Sequence, residues 1–155
     1  MIWCPSGAEV TSGVQRRASG RDAGRCIDRL ERICATLPEV GQRPGGEGHR
    51  HIAYLVGRRT FAYFTDDHHG DGRLALICKA APGEQPALVA GDPERFFVPP
   101  YLGHRGWVGL WLDRPGVDWA EATELMVEAY GLTAPKRLLR EQTGRARKLP
   151  PSTAP

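Results

Sequence analysis

The chain has 155 residues, 41% of them apolar and 25% charged, the make-up of one ordinary folded domain and not of a disordered chain. Nineteen glycines and 13 prolines predict long loops or loose ends. The net charge is only +3, but it is unevenly spread: ten basic against six acidic residues over 1–60, five against eleven over 61–135, and six against Glu141 alone over 136–155.

Residues 1–21 show no sustained period and read as an N-terminal extension. From Asp22, a plausible N-cap, apolar residues recur at helical spacing (Cys26, Ile27, Leu30, Ile33, Cys34, Leu37), which predicts a helix over 22–36 stopped by Pro38. Residues 41–50 are rich in glycine and read as a loop. HIAYLVG and GRRTFAYFTDD then read as two strands of a hairpin joined at Gly57-Arg58-Arg59. The segment 73–80 alternates, with Leu74, Leu76 and Cys78 on one side and Ala75, Ile77 and Lys79 on the other.

Residues 81–105 read as a long connection with a short helix near 84–90 and a turn opened by Asp92-Pro93. The last strand, 106–113, sends Val108, Leu110 and Leu112 one way and Trp107, Gly109 and Trp111 the other. A helix is expected from an Asp118 cap to Gly131, with Trp119, Ala122, Leu125, Met126 and Ala129 as its buried stripe. A final short helix follows from Thr133, with Pro135 in its first turn and Leu138 and Leu139 as anchors. Residues 143–155 read as a basic, proline-rich tail. The folded unit is therefore 22–142, a single two-layer α+β domain whose antiparallel sheet is backed by helices.

Four cysteines (Cys4, Cys26, Cys34, Cys78) form no C-x-x-C pair, and Cys26 and Cys34 lie two helical turns apart, too far for a disulfide. They read as buried small hydrophobes in a reducing cytoplasm. No run approaches the ~20 apolar residues of a membrane span, and the N-terminus lacks the layout of a secretory signal. Phosphate-loop, nucleophile-elbow and zinc-protease motifs are all missing from the sequence, so neither catalysis nor a cofactor is expected. His68 and His69 beside Asp66, Asp67 and Asp71 read as a solvated turn and not a metal centre, because adjacent loop residues rarely converge on one ion.

In order along the chain, CATLPEV (34–40), RRTFAYF (58–64), LALICKA (74–80), DPERFFVPPYLG (92–103), GWVGLWLD (106–113) and VDWAEATELMVEAYGLTAPKRL (117–138) resemble the MmcQ/YjbR family. The resemblance implies an α+β domain similar to the "double-wing" fold of a phage transcription factor, and with it a DNA-binding label that rests on shape, since fold alone does not fix function.

From the residues themselves, a nucleic-acid surface would use Arg58 and Arg59 at the hairpin tip, extended by Lys79, Arg95 and Arg105, with Lys136 and Arg137 at a helix start. Trp111, on the outward side of its strand, would stack on an unpaired base. The alternative is a module that binds a protein or small ligand without catalysis, its pocket lined by Lys79, Tyr101, His104 and Trp107.

Overall fold

A computed structural model describes residues 20–46 and 51–148. Its first helix, α1 (Gly20–Ala35), buries Ala23, Cys26, Leu30, Ile33 and Cys34 along one stripe. Asp22 lies inside the first turn of α1 and not at its cap, where a carboxylate still favours the positive end of the helix dipole. Thr36 closes the last turn, its hydroxyl donating to the Ile33 carbonyl at 2.7 Å.

Six strands follow: β1 (Val40–Pro44), β2 (His51–Val56), β3 (Arg59–Asp66), β4 (Leu74–Lys79), β5 (Phe96–Phe97) and β6 (Trp107–Trp111). They form one antiparallel sheet in the order β1-β2-β3-β4-β6-β5. Two strands fall where loops were expected. Residues 41–44 pair with β2, from Val40 opposite Val56 to Pro44 opposite Ile52, and an edge strand tolerates both glycine and proline. Gly45 and Gly46 stay outside the strand as the loop reading expects, and 47–50 lie outside the described residues. The connection 81–105 holds the expected helix, α2 (Glu84–Gly91), and also the two residues of β5.

The β2–β3 hairpin turns at Gly57 and Arg58, with Gly57 at φ 61° in the left-handed region that glycine enters freely. The register shifts between Tyr54 and Leu55, leaving Phe61 as the extra residue of β3. This bulge turns both Phe61 and Ala62 into the core, each fully buried, and Phe61 meets Tyr130 edge to face at 5.7 Å.

Beyond the sheet, α3 (Trp119–Gly131) is capped as expected, the Asp118 carboxylate accepting from the amides of Ala120 and Glu121 at 2.9 and 3.2 Å. The last helix, α4 (Lys136–Lys148), begins at Lys136 and continues through 143–148, into the segment read from sequence as tail. Helices α1 and α3 cover one sheet face. There Tyr54, Phe64, Leu76, Cys78, Val108 and Leu110 meet Leu30, Met126, Tyr130 and Leu138 in one core. No described helix is long and apolar enough to cross a membrane.

Candidate functional site

The antiparallel register sorts the charged residues by sheet end. Val40 lies opposite Val56, Val56 opposite Arg59, and Lys79 opposite Trp107. The start of β1, the β2–β3 turn, the end of β4 and the start of β6 therefore share one end of the sheet. Helix α4 begins there too, because Arg137 clamps Glu39 with two bonds of 2.9 and 2.8 Å. Six of the expected cations meet at this end: Arg58, Arg59, Lys79, Arg105, Lys136 and Arg137. All are exposed except Lys79, which is half-buried. The Arg137 guanidinium holds the Glu39 carboxyl below its usual range and is itself pushed up by the pair. The same end also carries Glu84 and Glu128; burial, then the hydrogen bond with Glu84, holds the Glu128 carboxyl above its usual range.

The opposite end is acidic, and two expected nucleic-acid residues fall there. Arg95 donates through Nε to Asp92 at 2.6 Å and through Nη1 to Glu121. Hydrogen bonding to Arg95 lowers the Asp92 carboxyl. Arg95 is thus a link between the start of β5 and α3, apart from the six cations. Trp111 stacks on Phe97 with ring centroids 3.9 Å apart, and the Arg73 guanidinium sits 3.9 Å from its ring centroid. Two groups this close to one centroid must occupy opposite ring faces, so the base stacking expected of Trp111 has no face left to use. Arg73 is fixed in turn by Asp113, with bonds of 2.6 and 2.9 Å.

The second sheet face carries a cavity of about 230 Å³. Its floor is His51 from β2, Tyr63 and Thr65 from β3, and Ile77 from β4, with His68 from the turn after β3 at its side. Pro100, Tyr101 and Leu102 form its roof. The rings of His51 and His68 meet edge-on at 6.0 Å, and Tyr63 packs on Trp107 at 5.6 Å. Of the pocket residues expected from sequence, only Tyr101 lines this cavity. Trp107 is buried behind Tyr63, Lys79 lies across the strand pair from Trp107, and His104 is exposed in the turn Gly103–Arg105. His51 and His68 come together only through the hairpin and the turn that follows it, a meeting that no spacing in the sequence announces. Among the described residues, no group of three or more His, Cys, Asp or Glu side chains is placed to hold a metal.

The three described thiols are poor nucleophiles. Burial pushes Cys26 up to about 11 and Cys34 up to about 12, with the Asp22 and Glu31 carboxylates as second contributors, and lifts Cys78 further still.

The family model described as YjbR matches residues 35–132, from the last residue of α1 to just past α3. The structure is similar to the crystal structure of Deinococcus radiodurans protein DR2400, which carries the family-model domain DUF419. The two align with a TM-score of 0.61 and 22% identity over 76% of this chain and 87% of that one. No match was found among curated proteins. The solved structure shares the fold; the family match spans all six strands and covers more than half of the sequence, so the chain belongs to the YjbR family.

Proposed function

We propose that this protein binds DNA without catalysis, through the cationic end of its sheet. The observation that carries this reading is the gathering of Arg58, Arg59, Lys79, Arg105 and Lys136 at one end while Asp66, Asp67, Asp71 and Asp113 lie at the other. A molecule polarised in this way orients itself in the field of a polyanion before contact. Arginine suits phosphate because its planar fork matches two oxygens at once. The hairpin tip supplies two such forks on a short turn, as a wing would. With Trp111 enclosed, the contact rests on phosphates and not on stacked bases, so it is largely indifferent to sequence. The protonated, buried thiols favour a non-catalytic role, and a reducing cytoplasm suits three buried cysteines that form no disulfide.

The test is the salt dependence of binding to a short labelled DNA duplex, read by fluorescence anisotropy. Removing one phosphate-binding cation should flatten the slope of log K against log salt by ~0.9. Arg58→Ala with Arg59→Ala is expected to flatten it by about 1.8, while Arg43→Ala, near the opposite end of β1, leaves it unchanged. Equal slopes in all three proteins would end this assignment.

A further inference from the structure

We infer a second binding site, at the far end of the sheet from the cations: the cavity under Pro100–Leu102 takes a small, flat, uncharged heteroaromatic molecule of nucleobase or nucleoside size. Three features of the cavity lead there.

Size comes first. An engineered cavity of ~150 Å³ accommodates benzene, and this one, at about 230 Å³, is half as large again, room for a bicyclic ring. Second is the chemistry of the walls. Tyr63, Tyr101, His51 and His68 present aromatic rings, and Ile77 and Leu102 supply apolar contact; such walls favour a flat π-system. The Tyr63 phenol and the Thr65 hydroxyl offer donors and acceptors to ring nitrogens and exocyclic groups. None of the described lining residues is Lys, Arg, Asp or Glu, so among them a charged ligand finds no fixed opposite charge to replace its hydration. The same lack of fixed charge makes a nucleoside a better guest than its nucleotide.

The third feature is a roof held in place before any ligand arrives. Pro99 is fully buried, and Gly103 donates back to its carbonyl at 2.9 Å. Gln85 of α2 binds the carbonyls of Gly103 and Trp107 at 2.8 and 2.6 Å. A Cβ on Gly103 would lie 2.3 Å from Val98, so the loop closes as tightly as glycine permits. At its tip Tyr101 adopts φ 65°, a left-handed backbone that an aromatic residue rarely enters, and the residue is 80% exposed. Backbone strain held by a rigid frame is characteristic of binding loops, and a fixed roof lowers the ordering cost of binding.

The full chain is titrated with indole, adenosine and adenosine 5′-monophosphate, and backbone amide shifts are followed by NMR. Indole and adenosine are expected to shift the amides of Thr65, Ile77 and Leu102 saturably, with Kd of about 1 mM or tighter, and to leave those of Arg58 and Lys136 in place. The monophosphate should bind at least threefold more weakly than adenosine. Tyr101→Ala, a change at a largely exposed side chain, should weaken adenosine binding tenfold or more. The site is refuted if neither neutral probe moves the pocket amides, if the shifts fall at Arg58 and Lys136 instead, or if Tyr101→Ala leaves affinity unchanged. Tighter binding of the monophosphate refutes the uncharged ligand. None of these results bears on the DNA slope, which concerns the other end of the sheet.

Discussion

The ring of Phe97 occupies the space that a side chain on Gly109 would need: a Cβ built on Gly109 would lie 2.2 Å from Phe97 Cζ. The two residues are cross-strand partners in β5 and β6. The Phe97 ring passes over the bare backbone of Gly109 and stacks on Trp111, two residues further along the same face. A two-residue strand has few hydrogen bonds, so this stack is much of what holds β5 to the sheet.

Gly109→Ala is therefore expected to displace the Phe97 ring and lower stability by about 1–3 kcal/mol, the usual range for overpacking. Adding Phe97→Ala should make the pair strongly non-additive, because the methyl then enters space the ring has left. Urea denaturation of the four proteins of the cycle measures this. Additive losses would mean that the ring is not what the methyl meets.

Arg73 and Asp113 form an enclosed ion pair, with side chains only 14% and 9% exposed. Removing one partner leaves the other charged, poorly solvated and, for Arg73, pressed on the Trp111 ring. Asp113→Ala is expected to lower stability by about 2–4 kcal/mol, near the range for a broken buried pair. Arg145→Ala, which breaks the exposed pair with Glu141 in α4, should change it by less than about 0.5 kcal/mol. Thermal melts of the two variants, compared at the midpoint of the parent, check the ordering.

Strand phase was legible because a half-buried strand repeats every two residues. Leu74, Leu76 and Cys78, like Val108, Leu110 and Leu112, face the helices as alternation requires. The Asp118 cap was legible for a similarly local reason, since an acceptor before an apolar stripe satisfies the first free amides. What escaped depends on pairing between distant segments. In β1, Gly41 and Pro44 are poor strand formers that become a strand only because β2 offers a ladder. The enclosure of Trp111 needs Phe97 from one side and Arg73 from the other, 14 and 38 residues away. Arg95 looked like the other surface arginines until Asp92 and Glu121 were seen to neutralise it. The joining of Arg58, Lys79 and Arg105 at one end likewise follows from strand order, which no local pattern encodes.

The cysteines give a pH signature. Burial raises Cys26 and Cys34 to about 11 and about 12 from an ordinary 9.0, so the folded state holds these protons more tightly than the unfolded chain. Their contribution to stability is complete below pH 9.0 and is lost as pH rises through the folded values. At pH 8 the thiolate fraction of Cys26 should be roughly a hundredfold below that of an ordinary thiol. In a Cys4→Ser background, iodoacetamide labelling mapped by mass spectrometry is expected to be slow on the native chain and to speed up sharply above pH 10 or in urea. Rapid labelling of Cys26 at pH 8 would contradict its burial.

Two buried tyrosines on facing elements of the core make opposite predictions. Tyr130, fully buried on α3, donates to the Pro38 carbonyl at 2.8 Å and so ties the end of α3 to the turn that leads into β1. Tyr54, equally buried on β2, has a hydroxyl with no hydrogen-bond partner among the described residues. Tyr130→Phe leaves the Pro38 carbonyl buried and unsatisfied, an expected loss of about 1–3 kcal/mol. Tyr54→Phe removes a polar atom that gained nothing from folding, and should be neutral or stabilise by up to about 1 kcal/mol. Urea midpoints at unchanged m-values report both changes on one scale. An equal loss in the two variants would show that each hydroxyl matters for the volume it fills and not for the bond it makes.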